Sequence, residues 1–354
     1  MKVFHCDHCD ALVFFENVQC VSCGRALAYL PDIGAICALE PTHDGRWHER
    51  SNAVSTTRYR LCANYSEQNV CNWAIEAGDD SRFCRSCRLT SVIPNLSDGS
   101  QLVNWAKLET AKRRLVYTLM QLQLPLNPKS SDVKRGLTFE FKAPMHERDV
   151  VLTGHAQGVI TINANEADDA ERERLRNRLH EPYRTLLGHF RHEVGHYYWE
   201  RLIANTERLT EFRSLFGDEQ QDYAAALQRH YESGAPADWQ TRFVSAYSTA
   251  HPWEDWAETW AHYLHMYDTL DTAAACGLML KPRRVDEPTL SATARPERSE
   301  FESMISDWFS VAYALNNLNR GLGQPDAYPF VLSATAIEKL RFVHETVRDS
   351  QANA

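Results

Sequence analysis

The distribution of cysteines constrains this chain more than any other feature of its sequence. Nine of the ten cysteines precede residue 88, and the tenth is Cys276. An N-terminal unit of about 90 residues has little room for an apolar core of its own. The N-terminus, MKVFHCDHCD, has no apolar signal segment, so we expect the chain to stay in the cytoplasm. In that reducing compartment, clustered cysteines indicate metal binding more often than disulfides.

Eight of these cysteines form two sets of four. Two CxxC pairs separated by ten residues can place four thiolates around one zinc ion, and we predict a structural zinc at Cys6, Cys9, Cys20 and Cys23. The second set contains only one CxxC pair but spans just 26 positions, which predicts another structural zinc at Cys62, Cys71, Cys84 and Cys87. For Cys37 and Cys276 we expect small, buried, apolar side chains.

Charge and hydropathy exclude several classes of function. The formal net charge is −9, and residues 1–100 carry nine basic and twelve acidic side chains. An acidic cysteine-rich unit favours a protein partner and argues against binding to nucleic acid. No apolar run approaches the roughly 18 residues of a membrane span. The sequence has no nucleotide-binding GxxxxGK[ST] or GxGxxG motif and no GxSxG nucleophile elbow.

The chemistry is concentrated in the segment EPYRTLLGHFRHEVGHYYWERLI, residues 181–203. Its apolar and aromatic residues recur at helical spacing, so we predict a helix. On that helix His192 and His196 lie one turn apart on one face and can bind one zinc ion, with Glu193 beside the water that the metal activates. The glycine and histidine that a metzincin needs after this motif are Trp199 and Leu202 here, so that class is excluded.

The third ligand is then expected from the later helix HPWEDWAETWAHYLHMYDTL, residues 251–270. Glu254 and Glu258 lie one turn apart on it and are flanked by tryptophans. We predict that Glu254 binds the catalytic zinc and that Glu258 holds the free ring N–H of His192. The exchange of these two roles is the main alternative, and Asp255 and His262 come next. For His262 and His265 we prefer a structural role over one lining the cleft.

These motifs together resemble those of a known family. HExxH followed by a helix with ExxxE is similar to the gluzincin branch of the zincin metallopeptidases. The stretches YRTLLGHFRHEVGHYYW, LFGDEQQDYAAAL and HPWEDWAETWAHYLH, with the cysteine pairs at the front, resemble bacterial zinc-binding metallopeptidases with N-terminal zinc ribbons. The resemblance implies a zincin fold and peptidase activity. In lethal-factor-like metallopeptidases a tyrosine seven residues before the glutamate points into the site, which implies Tyr247 as the donor to the oxyanion.

The predicted fold class is α+β. Residues 1–92 are expected to form a zinc-ribbon unit, and residues 101–354 a mostly helical zincin-like domain with a short β-sheet. LTFEFKAP (137–144) and GVITINAN (158–165) are predicted strands, and residues 104–124 a helix.

The predicted function is hydrolysis of a peptide or protein substrate with one catalytic and two structural zinc ions. Glu193 is the expected general base. Two rivals remain, a partner-binding scaffold with an idle metal site and an amidase acting on a non-peptide substrate.

Overall fold

The protein is described from a computed structural model, which covers residues 2–49, 57–97, 99–144, 151–179, 185–291, 296 and 299–352. Strands and helices occur in largely separate parts of the chain, which confirms the predicted α+β class. None of the helices in the described ranges combines the length and the apolar character that a bilayer crossing requires.

The strands lie mainly in the first half of the chain. In chain order they are β1 (Phe4–His5), β2 (Leu12–Val13), β3 (Ala26–Leu30), β4 (Ala35–Pro41), β5 (Trp47–Glu49), β6 (Tyr59–Leu61), β7 (Ala74–Glu76), β8 (Thr90–Val92), β9 (Thr138–Lys142), β10 (Gly154–Ala156) and β11 (Val159–Asn163). The predicted strands within 137–144 and 158–165 are confirmed as β9 and β11.

Helices dominate the second half. They are α1 (Ala63–Ser66), α2 (Gly99–Gln121), α3 (Asp169–Leu179), α4 (Leu186–Leu202), α5 (Arg208–Phe216), α6 (Tyr223–Ser233), α7 (Pro252–Ala275), α8 (Phe301–Gly321) and α9 (Ala334–Ala352). The predicted helix over 104–124 is confirmed as α2, which ends four residues before Pro125.

The described chain divides into two compact units, each built from separate segments. The first comprises residues 1–116, 128–154 and 159–173, and the second comprises 117–127, 155–158 and 174–354. The domain ranges 1–92 and 101–354 stay a prediction, since the segments of the two units alternate along the chain.

The first unit contains a hairpin, an antiparallel sheet and a parallel sheet. β1 pairs with β2, and β3 to β7 form an antiparallel sheet in chain order. β9 lies between β8 and β11, parallel to both. Buried aromatic rings fill the core around the larger sheet. The Tyr29 and Trp73 rings lie 4.5 Å apart, and Phe15 packs edge-on against both.

In the second unit, α4 packs closely against α7. Gly195 makes this approach possible, because a Cβ atom there would lie 3.1 Å from Ala257 Cα and 3.2 Å from Trp260 Cβ. The indole N–H of Trp256 donates to the Gly195 carbonyl at 2.8 Å. The ring of Trp260 also stacks on Tyr198 of α4, with centroids 5.0 Å apart. These contacts fix how the two helices face each other.

Gly195→Ala tests this packing. In an open helix interior, alanine stabilises by about 1 kcal/mol over glycine. At Gly195 we expect the reverse, because overpacking against a backbone atom and a buried indole costs about 1–3 kcal/mol. Thermal unfolding should therefore show a lower midpoint for Gly195→Ala. Gly321→Ala is the control, since nothing lies within 4 Å of a Cβ there, and it should not lower the midpoint. An unchanged Gly195→Ala protein would contradict the packing argument.

Candidate metal centres

The first four-cysteine set converges in the first unit. The thiol sulfurs of Cys6, Cys9, Cys20 and Cys23 all lie within 4.8 Å of one another. Cys6 Sγ is 3.8 Å from Cys23 Sγ, and Cys9 Sγ is 3.6 Å from Cys20 Sγ. A disulfide would need about 2.05 Å, whereas Zn–S bonds of about 2.3 Å in a tetrahedron place sulfurs about 3.8 Å apart. The sulfur spacing therefore fits a tetrahedral zinc ion.

The second set also converges, and it is more deeply enclosed. All four side chains are buried, and Cys71 Sγ lies 3.8 Å from Cys84 Sγ. The backbone N–H groups of Trp73, Cys84 and Cys87 donate to the sulfurs of Cys71, Cys62 and Cys84, each at 3.4 Å. Such donors stabilise thiolates, which are the form of cysteine that binds metal. The first set differs in burial, since Cys9 is exposed and Cys23 is half-buried.

The remaining two cysteines have different surroundings. Cys37 is buried in the apolar cluster that includes Leu39 and Tyr59, as predicted. Cys276 is exposed, so the prediction of a buried side chain is wrong. The physical reason is its position, since Cys276 follows the last residue of α7 as the C-cap.

Two capped helices carry the histidine and carboxylate residues in the second unit. Thr185 caps α4, with its hydroxyl accepting from Gly188 N–H at 2.9 Å. His251 caps α7, with Nδ1 accepting from Trp253 N–H at 3.1 Å. Pro252 lies in the first helical turn, where a backbone N–H has no partner within the helix, so the missing N–H of proline costs no hydrogen bond. Both caps satisfy backbone donors just before the segments that bear the candidate ligands.

His192, His196 and Glu254 are brought together between these helices. Their ligand atoms lie within 4.8 Å of one another. His192 Nε2 is 3.0 Å from Glu254 Oε2, and His196 Nε2 is 3.6 Å from Glu254 Oε1. Zn–N and Zn–O bonds of about 2.0–2.1 Å in a tetrahedron would place the ligand atoms about 3.3 Å apart. The three residues thus have the spacing of a zinc site with a free fourth position.

The hydrogen bonds around His192 test whether a cation fits. Glu258 Oε1 lies 2.7 Å from His192 Nδ1, which places the ring proton on that nitrogen. His192 Nε2 is then an acceptor, and it faces the buried Glu254 Oε2, which makes no hydrogen bond of its own. Such a contact needs a cation between the two atoms, either a metal ion or a second ring proton; burial lowers the pKa of His192, but Glu254 and Glu258 outweigh it and raise that pKa well above its usual range. The donor set therefore fits a zinc ion.

Glu258 has both of its carboxylate oxygens engaged. Besides Oε1 on His192, its Oε2 accepts from the Ser245 hydroxyl at 2.6 Å, and Ser245 also contacts Ser248 Oγ at 3.0 Å. Burial raises the pKa of Glu258, but the hydrogen bond from His192 outweighs it and lowers the pKa to about 2. An ionised Glu258 can orient the imidazole without binding the metal itself.

The other two carboxyl groups of the site have opposite pKa shifts. Burial raises the pKa of Glu193, which lies next to His192 on α4. For Glu254, burial alone would also raise the pKa, but the imidazoles of His196 and His192 lower it well below its usual range. The pKa values of the two carboxyl groups are thus shifted in opposite directions. A raised pKa suits Glu193 as a carrier of protons, and a lowered pKa suits Glu254 as a metal ligand.

The other predicted residues lie around this centre. The Tyr247 ring is 6.0 Å from the His192 ring and 5.7 Å from the His230 ring. His262 Nδ1 lies 2.7 Å from the Tyr328 hydroxyl, and His265 Nδ1 lies 3.3 Å from the Arg191 guanidinium. Both contacts of these α7 histidines fit the structural role that we prefer for them.

One residue at the site was not anticipated from the sequence. The Tyr223 hydroxyl donates to Glu254 Oε1 at 2.6 Å. The only local signal is Asp222, an N-cap type that predicts the start of α6 and does accept from Ala225 N–H at 3.0 Å. Nothing in the sequence connects the first residue of α6 with a glutamate 31 positions later.

The comparisons with known proteins agree with this arrangement. Residues 101–346, more than half of the chain, match the family described as "putative zinc-binding metallo-peptidase", and residues 3–98 match a zinc-ribbon domain. Uncharacterized proteins of Mycobacterium bovis and Mycobacterium tuberculosis are 44% identical to this chain over 348 residues, which are 98% of this chain and 95% of each relative. No solved structure matches the chain.

The matched ranges include both four-cysteine sets as well as the His192, His196 and Glu254 cluster. The chain belongs to the family of zinc-binding metallopeptidases, and it carries an N-terminal zinc ribbon.

Proposed function

We propose that the protein is a gluzincin-type peptidase, in which His192, His196 and Glu254 hold the catalytic zinc. The observation that carries this proposal is the convergence of the ligand atoms of His192, His196 and Glu254 within 4.8 Å of one another, with His192 Nε2 3.0 Å from Glu254 Oε2. The family match supports the zinc-dependent hydrolysis of peptide bonds. When bound, zinc supplies a Lewis acid that polarises a carbonyl group and makes water acidic enough to attack near neutral pH.

The side chains of the chain perform the other steps. Glu193, whose pKa is raised by burial, takes the proton of the attacking water and returns it to the leaving amine. Glu258 keeps His192 in the tautomer that presents Nε2. Tyr247, close to His192, donates to the oxygen that becomes negative during the attack. The substrate class is a peptide or protein.

We further propose that each four-cysteine set holds a structural zinc ion. The sulfur spacings of 3.6–3.8 Å support both sites. Metal binding coupled to folding would then stabilise a unit whose own core is small. The acidic balance of residues 1–100 favours a protein as the partner of the zinc ribbon.

Metal analysis tests the stoichiometry. Purified protein should contain about three zinc ions per chain, two in the thiolate sites and one at the catalytic site. A mild chelator should remove the catalytic zinc first, because that site has only three protein ligands and an open position. Atomic absorption before and after chelation measures both quantities. A content of one zinc per chain would contradict the two thiolate sites.

The zinc affinities of variants at Glu254 and Glu258 distinguish the roles of these two residues. Glu254→Gln removes the charge that binds the metal, so this variant should lose the catalytic zinc at neutral pH and keep the thiolate-bound ions. Glu258→Gln should keep the zinc at saturating metal, with affinity or activity reduced about 10- to 100-fold, because Glu258 only orients His192. Zinc occupancy of the two variants decides the assignment. Loss from Glu258→Gln with retention in Glu254→Gln would reverse it.

The peptidase activity itself is tested by comparing cleavage of a peptide library by wild type and Glu193→Gln. Loss of a general base typically lowers kcat about 100- to 10,000-fold, and zinc content should not change. Glu211→Gln, at an exposed carboxylate of α5, is the matched control and should cleave like wild type. Identical product profiles for wild type and Glu193→Gln would remove the peptidase proposal.

A further inference from the structure

Tyr223 is the first residue of α6, and three contacts fix the preceding loop, residues 217–222, against the start of α7. A Cβ at Gly217 would lie 3.4 Å from Pro252 Cγ, so the loop begins in contact with α7. His251 Nε2 donates to the Gln221 carbonyl at 3.2 Å. The Tyr223 ring packs edge-on against His251, with centroids 5.2 Å apart. The loop and the N-terminus of α7 therefore pack against each other.

An ion pair between the exposed Arg213 and the buried Glu219 also holds this loop. The carboxylate of Glu219 accepts two hydrogen bonds from the Arg213 guanidinium, at 2.9 and 2.6 Å. Two parallel hydrogen bonds fix the direction of a carboxylate as well as its distance. The loop thus presents Tyr223 from a defined position rather than from a freely moving segment.

This packing places the Tyr223 hydroxyl within hydrogen-bonding distance of one oxygen of Glu254. The bond to Oε1 is 2.6 Å, in the range of a hydroxyl donating to an anionic oxygen. The side chain of Glu254 is 1% exposed, so water does not compete for that oxygen. The other oxygen, Oε2, makes no hydrogen bond and faces His192 Nε2. The two oxygens of this carboxylate therefore have different surroundings.

We infer that Tyr223 is a positioning residue: its hydrogen bond engages Glu254 Oε1, which lies 3.6 Å from His196 Nε2, so that Oε2 is the oxygen that binds the metal. This inference rests on the proposed assignment of Glu254 as the third zinc ligand. Partners that hydrogen-bond to a ligand set its orientation, and their loss typically costs about 10- to 100-fold in metal affinity or activity. Tyr247 differs, since its proposed contact is with the substrate.

Zinc affinity of Tyr223→Phe, measured against a competing chromophoric chelator, tests the inference without any substrate. We expect an affinity about 10- to 100-fold weaker than that of wild type. Tyr313→Phe is the matched control, because it removes a hydroxyl from a ring that is 43% exposed on α8, a helix that carries none of the proposed site residues. Its affinity should equal that of wild type. The phenyl ring preserves the packing, and thermal unfolding of the metal-depleted proteins checks that it does.

The visible spectrum of cobalt at the catalytic site gives a second measurement. With zinc kept in the thiolate sites, cobalt in wild type should show the strong absorption of a four-coordinate ion. In Tyr223→Phe the freed Oε1 can also bind, so the absorption should weaken toward that of a five-coordinate ion. Tyr247→Phe should lower kcat and leave the spectrum and the zinc affinity unchanged.

An unchanged zinc affinity and an unchanged cobalt spectrum in Tyr223→Phe would overturn the inference, even if kcat fell, because the hydroxyl would then act on the substrate. A different result would contradict the peptidase proposal. If wild type cleaves no peptide, that proposal is contradicted, whereas the zinc affinities of the tyrosine variants still decide the role of Tyr223.

Discussion

The close contact between α4 and α7 is the constraint on which the candidate active site depends. α4 carries the two histidines and α7 the two glutamates, and Gly195 has no Cβ atom to hold the helices apart. The hydrogen bond from Trp256 to the Gly195 carbonyl fixes the rotation of one helix against the other. A wider spacing would separate His192 from Glu254, so the glycine of HEVGH serves the geometry of the metal centre as well as the packing.

Three acidic residues in the first half of helix α7 are buried or half-buried, and each of them has a different partner. Glu254 accepts from Tyr223, and Glu258 contacts His192. Asp255 contacts the buried Lys339 of α9 at 2.6 Å. Burying a carboxylate without a partner costs free energy. These partners therefore allow the three acidic side chains to lie in an apolar, tryptophan-rich core. The same partners give each acid a separate task.

Prediction from sequence worked where the signal lies within one element. Periodicity predicts helix α4 and the strands β9 and β11, and spacing predicts that the cysteines of each set converge. Tyr223 could not be found, because its contact with Glu254 depends on how the loop 217–222 folds back on α7. Cys276 was wrongly expected to be buried, since residue type gives no information on the position of a helix end. The assignment of the site residues stays a prediction.

The two thiolate clusters differ in how open they are to the medium. In one, every sulfur is enclosed, whereas in the other Cys9 is exposed and Cys23 half-buried. Oxidants react with thiolates that they can reach, and a competing chelator needs access to the bound ion. If both clusters hold zinc as proposed, the ion at the first two cysteine pairs is therefore the more accessible one, and the enclosed cluster would release its ion more slowly. Oxidants would then reach Cys9 and Cys23 before any cysteine of the enclosed cluster.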